Sequence, residues 1–404
     1  MSNRAINGSR ELLVVTPLTA HRSRAGNLVL TRKFIEGMRA YAERWPGEVT
    51  AMFRLAKTPS NNLDHMEYES HSEPFHAELQ PTDRARLHER MRAALFVLGG
   101  PLGVPGVTQA IVTITTLRTR WQIIAAEAPS ILRRSKRSIE AGVREWFHRG
   151  GIRHLAGVQC NGTPTYDSYR HLNSNTILFF DSRMGERDLI CEKDMARRNE
   201  SLINKSRLRL VFSGRLMRIK GVDALPEIAA ELRRLGVKFE MNIIGDGESR
   251  NMLEDRIRKL HLSDRVIVHG NLDYRSELLP IVRGRSDLFI CTHIQGDPSH
   301  TYLETMGCGV PIIGYANEAW AGMARLSKAG WTTQTRRPEL LAAKIAELDQ
   351  NRDQIVRASH AARRFAAEHL FEKTMDRRVE HMLSCLDSRR SDNGNGACSI
   401  PQGP

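Results

Sequence analysis

From Leu208 onward the sequence alternates short apolar runs with longer amphipathic segments, and this alternation restricts the fold more than any other feature. Leu208 to Gly214, Phe239 to Gly245, Val266 to Gly270, Leu288 to Thr292 and Pro311 to Tyr315 each read as a short buried strand. Helical spacing fills 222–235, 248–260, 276–283 and 301–308 between them, and 318–328 after the last. Strands separated by helices predict βαβ units and a parallel, doubly wound sheet.

The first half alternates more loosely. Glu11 to Thr16, Val49 to Phe53, Ala94 to Leu98, Leu155 to Cys160 and Thr176 to Asp181 read as strands, with helices expected over 28–44 and 131–148. Gly150-Gly151 is expected to stop the second helix, and Thr163 to cap a further one with Pro164 at its first position. No period is visible over 58–82, and the charged stretch 183–205 reads as linker. The chain is therefore expected to be α/β throughout. The expected divisions are a first domain over 1–185, a linker over 186–206, a second domain over 207–370, a late helix over 371–387 and a disordered tail over 388–404.

Composition narrows the function classes. The chain has 404 residues, 41% hydrophobic and 26% charged, which supports two cores and excludes a disordered or fibrous protein. No apolar run approaches ~18 residues, and Glu11 to Val15 is too short for a signal-peptide core, so a cytoplasmic protein is expected. Six cysteines without a CxxC pair give neither a disulfide framework nor a zinc site. The net charge of +14 points to anionic ligands, acidic lipid or nucleic acid. Nucleic acid is disfavoured, because the basic residues spread through both halves without a helix-turn-helix, zinc-finger or RNP signature. One helix begins with Arg133, Arg134, Lys136 and Arg137 and continues to Arg144, Trp146 and Phe147. It suits either a solvated face or one lying on acidic lipid.

Ligands of open α/β sheets bind beyond the carboxyl ends of the strands, where four motifs fall. In the run from Gly214 to Gly221, Arg215 and Lys220 can converge on a diphosphate whose charge grows as it leaves, or form a solvated basic loop. Gly245-Asp246-Gly247 makes a tight turn. Gln295 to Pro311 runs a polar loop into a short helix whose first amides form an anion cradle. One turn in, Glu304 either accepts hydrogen bonds from ribose hydroxyls or reaches back in a Thr301–Glu304 capping box. The backbone from Val266 to Asn271 can flank a flat base.

Together, 208 to about 326 resembles the donor-binding domain of family 4 glycosyltransferases, which have the GT-B fold. The GRLxxxKG run at 214–221, the GDG turn at 245–247, the Val-x-x-x-Gly strand at 266–270 and LETMGCGVPIIGY at 303–315 occur in order. The resemblance implies two doubly wound Rossmann-like domains facing across a cleft, with the last helix packed back across both. It further implies hexosyl transfer from a nucleoside-diphosphate-sugar, with retention of anomeric configuration and without metal or other cofactor. By the same resemblance Arg215 and Lys220 bind the diphosphate and Glu304 holds the ribose. The amides of Ser299, His300 and Thr301 meet the phosphate or the sugar, and Gly214, Gly245, Gly247 and Asn271 complete the donor site. The implied acceptor is a glycan or a polyprenyl-diphosphate-linked sugar in polysaccharide or glycolipid synthesis, handled by a protein peripheral to the membrane.

Two departures stand out. The family's first glutamate, eight positions before Glu304, falls at Gly296 here. Asp297 can replace it if the loop shifts by one residue; otherwise the chain is a nucleotide-sugar-binding or regulatory protein without transfer. The loop from Thr16 to Asn27 has one glycine, Gly26, where the family has two. That loop supplies His21, Arg22 and Arg24 on the expected acceptor side, or else forms only an exposed basic loop.

Overall fold

The computed structural model describes residues 11–56, 65–100, 104–113, 116–128, 130–204, 207–296 and 298–395. The strands of the first half are β1 (Leu12–Arg22), β2 (Leu28–Thr31), β3 (Val49–Leu55), β4 (His65–Tyr68), β5 (His76–Leu79), β6 (Phe96–Gly99), β7 (Ala110–Val112), β8 (Gly157–Asn161) and β9 (Thr176–Phe179). Its helices are α1 (Arg32–Arg44), α2 (Arg84–Ala93), α3 (Leu117–Glu127), α4 (Ile131–Ile152) and α5 (Thr163–Tyr169). Helix α6 (Glu192–Asn204) leads into the second half. There β10 (Leu208–Ser213), β11 (Phe239–Ile244), β12 (Val266–Gly270), β13 (Leu288–Cys291), β14 (Ile312–Tyr315) and β15 (Gly330–Thr333) form the sheet. They alternate with α7 (Leu225–Arg234), α8 (Arg250–Lys259), α9 (Leu279–Arg285), α10 (His300–Gly307) and α11 (Glu318–Ser327). Three helices close the chain: α12 (Pro338–Gln350), α13 (Arg352–Glu368) and α14 (Phe371–Asn395).

The second sheet is parallel, in the order β12-β11-β10-β13-β14-β15. Its inner strands β10, β11, β13 and β14 are buried on both sides because helices cover both faces. Leu208, Leu210 and Phe212 enter one core with residues of α7, α8 and α12. Val211, Phe289 and Ile312 enter the other with residues of α10, α11 and α13. Each side chain so buried stabilises the fold by roughly 1.5–3 kcal/mol before entropy is charged. Strand order reverses between β10 and β13, so the loops after those two strands flank the sheet's ligand crevice.

The first sheet repeats the plan. β5-β3-β1-β6-β7-β8-β9 run parallel, reversing between β1 and β6. The end of β1 also pairs antiparallel with β2, which pairs with β4. Helix α14 returns to this half, where Met375, Val379, Met382 and Cys385 pack in the core with Ile35 and Tyr41 of α1. Arg44 Nε meets Asp376 at 2.6 Å beside them.

Several local expectations change. The single helix over 28–44 is a strand followed by a helix, because Leu28 to Thr31 pairs with both β1 and β4 and Thr31 then caps α1. Helix α4 runs through Gly150-Gly151, since Ile152 is fully buried beyond them and its packing outweighs about 1 kcal/mol per glycine. Gly162, at φ +80°, takes the cap position expected of Thr163. Within the expected linker, α6 buries Met195, Arg198, Asn199 and Leu202. Two of those four are polar, which hid the helical period. Arg198 donates to the carbonyls of Cys308 and Gly309 and to Ser359 Oγ. Strands β4 and β5 lie in the stretch without visible period, and α14 continues to Asn395, past the expected start of the tail.

Candidate active site

The two sheet crevices open onto one cleft of about 2090 Å³. From the first half it is lined by Thr16, Pro17 and Leu18, where the register of β1 shifts, and by Gly99 and Gly100 at the end of β6; from the second, by Arg215 and His300. Among the described lining residues, seven are Lys or Arg and two are Asp or Glu.

The loop after β10 is shaped by backbone contact. Gly245 has φ +138°, and a Cβ there would lie 1.9 Å from the Gly214 carbonyl oxygen. Gly214 N donates to Ile244 O, and Gly245 N to Gly270 O, so the ends of β10, β11 and β12 lie side by side. The Gly247 amide is held by the Asp246 carboxylate, and Asn271 is exposed just past β12. Arg215 projects, exposed, into the cleft. Lys220 ends a short turn tied to β13: its carbonyl accepts from Thr292 Oγ1 at 2.9 Å. Gly221 follows at φ +65°, where a Cβ would stand 2.1 Å from Thr292 O. The fully buried His293 is pushed well below its ordinary range by burial and then by the Lys220 charge.

Ser299 stands at the cap position of α10 without a side-chain cap bond, and His300 and Thr301 open the helix. No capping box therefore forms. Glu304 is buried and takes the Arg183 guanidinium, Nε to Oε1 at 2.9 Å and Nη2 to Oε2 at 3.4 Å. Arg183 in turn lies over the Tyr274 ring, 4.1 Å from its centroid. Asp297 lies outside the described residues. Gly296 N donates to Gln122 Oε1 of α3 at 2.8 Å. A Cβ on Gly296 would meet Glu318 Oε2 at 2.8 Å, so the Glu318 carboxylate occupies the space of a side chain at 296. Glu318 also pairs with Arg118 of α3, which pins this helix of the first half onto the start of α11.

A second bridge crosses the cleft. Lys33 Nζ lies 2.8 Å from Asp181 Oδ2 and 2.6 Å from His300 Nε2, and His300 Nδ1 lies 3.0 Å from the Asp181 carbonyl oxygen. Burial raises the Asp181 carboxyl, but the His300 and Lys33 charges prevail and hold it below the usual range.

The expected acceptor-side residues lie elsewhere. His21 and Arg22 belong to β1, which extends as a hairpin with β2, and Arg24 and Gly26 form its turn. None of the four lines the cleft. The β-compatible residues Thr19 to Arg22 find pairing partners in β2 and β3, which draws the supposed loop into the sheet. Sequence reasoning missed Lys33, Arg183, Gln122 and Glu318. Asp181 carried a usable signal, since it was expected at the carboxyl end of a parallel strand. Among the described residues no group of three or more His, Cys, Asp or Glu is placed to hold a metal, and no helix is long and apolar enough to cross a membrane.

Comparison with known proteins bears on both halves. Residues 194–365, less than half of the chain, match the family model described as glycosyl transferases group 1. The putative colanic acid biosynthesis glycosyltransferase WcaL of Salmonella typhimurium is 22% identical over 186 residues, 44% of this chain and 45% of that protein. The chain thus spans less than half the length of that curated relative. Two solved structures resemble it over nearly its whole length. Anabaena HepE in complex with UDP has a TM-score of 0.64 at 12% identity, covering 93% of this chain and 99% of that one. WaaG, a glycosyltransferase involved in lipopolysaccharide biosynthesis, has a TM-score of 0.62 at 12% identity, covering 92% and 99%.

Proposed function

The chain has the GT-B fold, and on that frame we propose that it is a retaining, hexosyl-type glycosyltransferase using a nucleoside-diphosphate-sugar. The observation that carries this reading is the meeting of two loops at the β10–β13 crevice, one bearing Arg215 and Lys220, the other the start of α10 with Glu304. In the reaction an acceptor hydroxyl oxygen bonds to the sugar C1 as the bond from C1 to the diphosphate breaks. The hydroxyl proton passes to the leaving diphosphate. Arg215, Lys220 and the amides of Ser299, His300 and Thr301 offset the charge that develops on it. Glu304, oriented by Arg183, takes the ribose hydroxyls, and Glu318 supplies the carboxylate that Gly296 lacks. With charge compensation assigned to side chains and amides, transfer is expected to proceed without metal.

WcaL and WaaG are described as serving colanic acid and lipopolysaccharide biosynthesis, which favours a polysaccharide or glycolipid product here. HepE binds UDP, which makes a uridine donor the first to try. The test is thermal shift with UDP, GDP, ADP and their sugars, followed by release of the nucleoside diphosphate in EDTA and NMR of the product anomer. Binding without turnover on any acceptor would favour the second reading, a nucleotide-sugar-binding protein, which Gly296 motivates.

We further propose that helix α4 lies on acidic lipid, the alternative being a solvated face. Its Ile131, Leu132 and Trp146 are 79%, 83% and 72% exposed, while Ala141, Glu145 and Ile152 of the same helix are buried. Arg133, Arg137 and Arg144 are exposed on another side of the same helix, and each cation near an acidic surface contributes about 1 kcal/mol. Flotation with acidic but not neutral liposomes at low salt is expected; no binding to either removes this placement.

A further inference from the structure

Helix α3 belongs to the first half, yet it touches both loops that flank the β10–β13 crevice. On one side it packs against the turn Arg218–Lys220 after β10. On the other, the Gly296 amide donates to Gln122 Oε1 at 2.8 Å, and Arg118 pairs with Glu318 at the start of α11. A helix that reaches both loops lies across the crevice between them. The lining of the cleft agrees. Among the described residues, Arg215 and His300 face the cleft, whereas Lys220, Gly296, Glu304 and Glu318 do not line it.

Helix α3 is also weakly held. Its apolar contacts form a small cluster, Leu117, Ile124 and Ala128 with Ala141 of α4, apart from the large cores of both halves. Its polar ties within the first half run to α4: Trp121 Nε1 donates to the Ser138 carbonyl at 3.2 Å, and Arg120 meets His148 at 3.4 Å. A segment with so little buried apolar surface opens at low cost while the rest of the domain stays folded. Its hold on the second half is equally slight. The Arg118 side chain is 73% exposed, and an ion pair in that setting is screened by water and salt. The Gly296 amide needs an acceptor, and a phosphate or hydroxyl oxygen satisfies it as well as Gln122 does.

We propose that α3 is a latch over the donor crevice: docked on Gly296 and Glu318 it covers Lys220 and Glu304, and it has to lift before a nucleoside diphosphate binds. The inference rests on the donor reading of that crevice and adds its regulation. Lifting α3 also releases Glu318 from Arg118, so the carboxylate assigned to the sugar becomes available in the same movement. Affinity for the nucleotide is then the intrinsic affinity multiplied by the fraction of molecules with α3 lifted, so weakening the latch tightens binding.

The test is calorimetry with UDP, GDP and ADP on the full chain and on the double variant Arg118→Ala, Gln122→Ala, beside hydrogen exchange over Leu117–Glu127. Without nucleotide, the double variant should exchange these amides about fivefold faster than the wild type. It should also bind the preferred diphosphate about fivefold more tightly, and that diphosphate should speed exchange of α3 in the wild type. Unchanged exchange in the variant, or equal affinity of the two proteins, would overturn the latch. Weaker binding by the variant, or slower exchange of α3 on binding, would overturn it too and make α3 part of the donor site. Binding of none of these diphosphates by either protein, with exchange still faster in the variant, would remove the donor reading and leave the covered crevice standing.

Discussion

Arg183 donates to both oxygens of Glu304, and the same guanidinium stacks on Tyr274. The pair joins the segment after β9 to the middle of α10, so a residue read as linker orients the carboxylate assigned to the ribose. Each Glu304 oxygen keeps a lone-pair direction for a ribose hydroxyl while Arg183 supplies the compensating charge.

Glu304→Gln preserves shape and removes that charge. Calorimetry with UDP and 2′-deoxy-UDP should show the preference for the ribose form falling about tenfold, ~1.4 kcal/mol. An unchanged preference would sink the ribose assignment. Arg183→Ala should produce a similar loss without touching the nucleotide, because its role is positioning.

Arg215 is exposed at the cleft, so Arg215→Ala should leave stability within about 0.5 kcal/mol. Transfer should fall by about 2.7–4 kcal/mol of transition-state stabilisation, chiefly in kcat. Lys220→Ala should slow transfer on the same scale, and steady-state rates at the wild-type level in both variants would remove the diphosphate role.

Asp181 titrates below its ordinary range because His300 and Lys33 hold its charge. A lowered folded value contributes stability above the unfolded value, and that contribution is lost as pH falls through the folded value. Asp181→Asn should therefore cost about 1.5–3 kcal/mol near neutral pH, the scale of a charge-assisted hydrogen bond, and progressively less in acid. Denaturant unfolding at about pH 7 and about pH 3 tests this; equal losses at both would show that the charge is not involved.

Gly245→Ala would force a Cβ against the Gly214 carbonyl oxygen at a φ that alanine disfavours. A loss of about 1–3 kcal/mol is expected, with weaker nucleotide binding as the Arg215 loop shifts. Full retention of both would mean that the two loops are less closely joined than the backbone contacts indicate.

Most of the parallel sheet of the second half was legible because β10, β11, β13 and β14 are buried on both faces and the intervening helices carry an apolar stripe. Strand β15, Gly-Trp-Thr-Thr and only partly buried, was not expected. Leu210 and Val211, one residue apart, serve opposite cores, and that double burial is written into the sequence as an unbroken apolar run. The loops were legible for a related reason. Gly245 and Gly247 mark strand ends where backbones pass too closely for side chains, a local requirement that a local pattern can reveal.

Pairing across the chain was not legible. Arg183 with Glu304, Lys33 with His300, and Gln122 with Gly296 join residues 121, 267 and 174 positions apart. No periodicity records such distances. The hairpin that withdraws His21 and Arg22 from the cleft, and the buried Arg198 that made α6 look like linker, have the same origin. By itself the sequence determined two helix-covered parallel sheets and the identity of the strand-end loops, since burial and turn geometry act within a few residues. Only the tertiary structure decided which side chains share the cleft, because a hydrogen bond or ion pair depends on separation in space, which docking of the two sheets establishes.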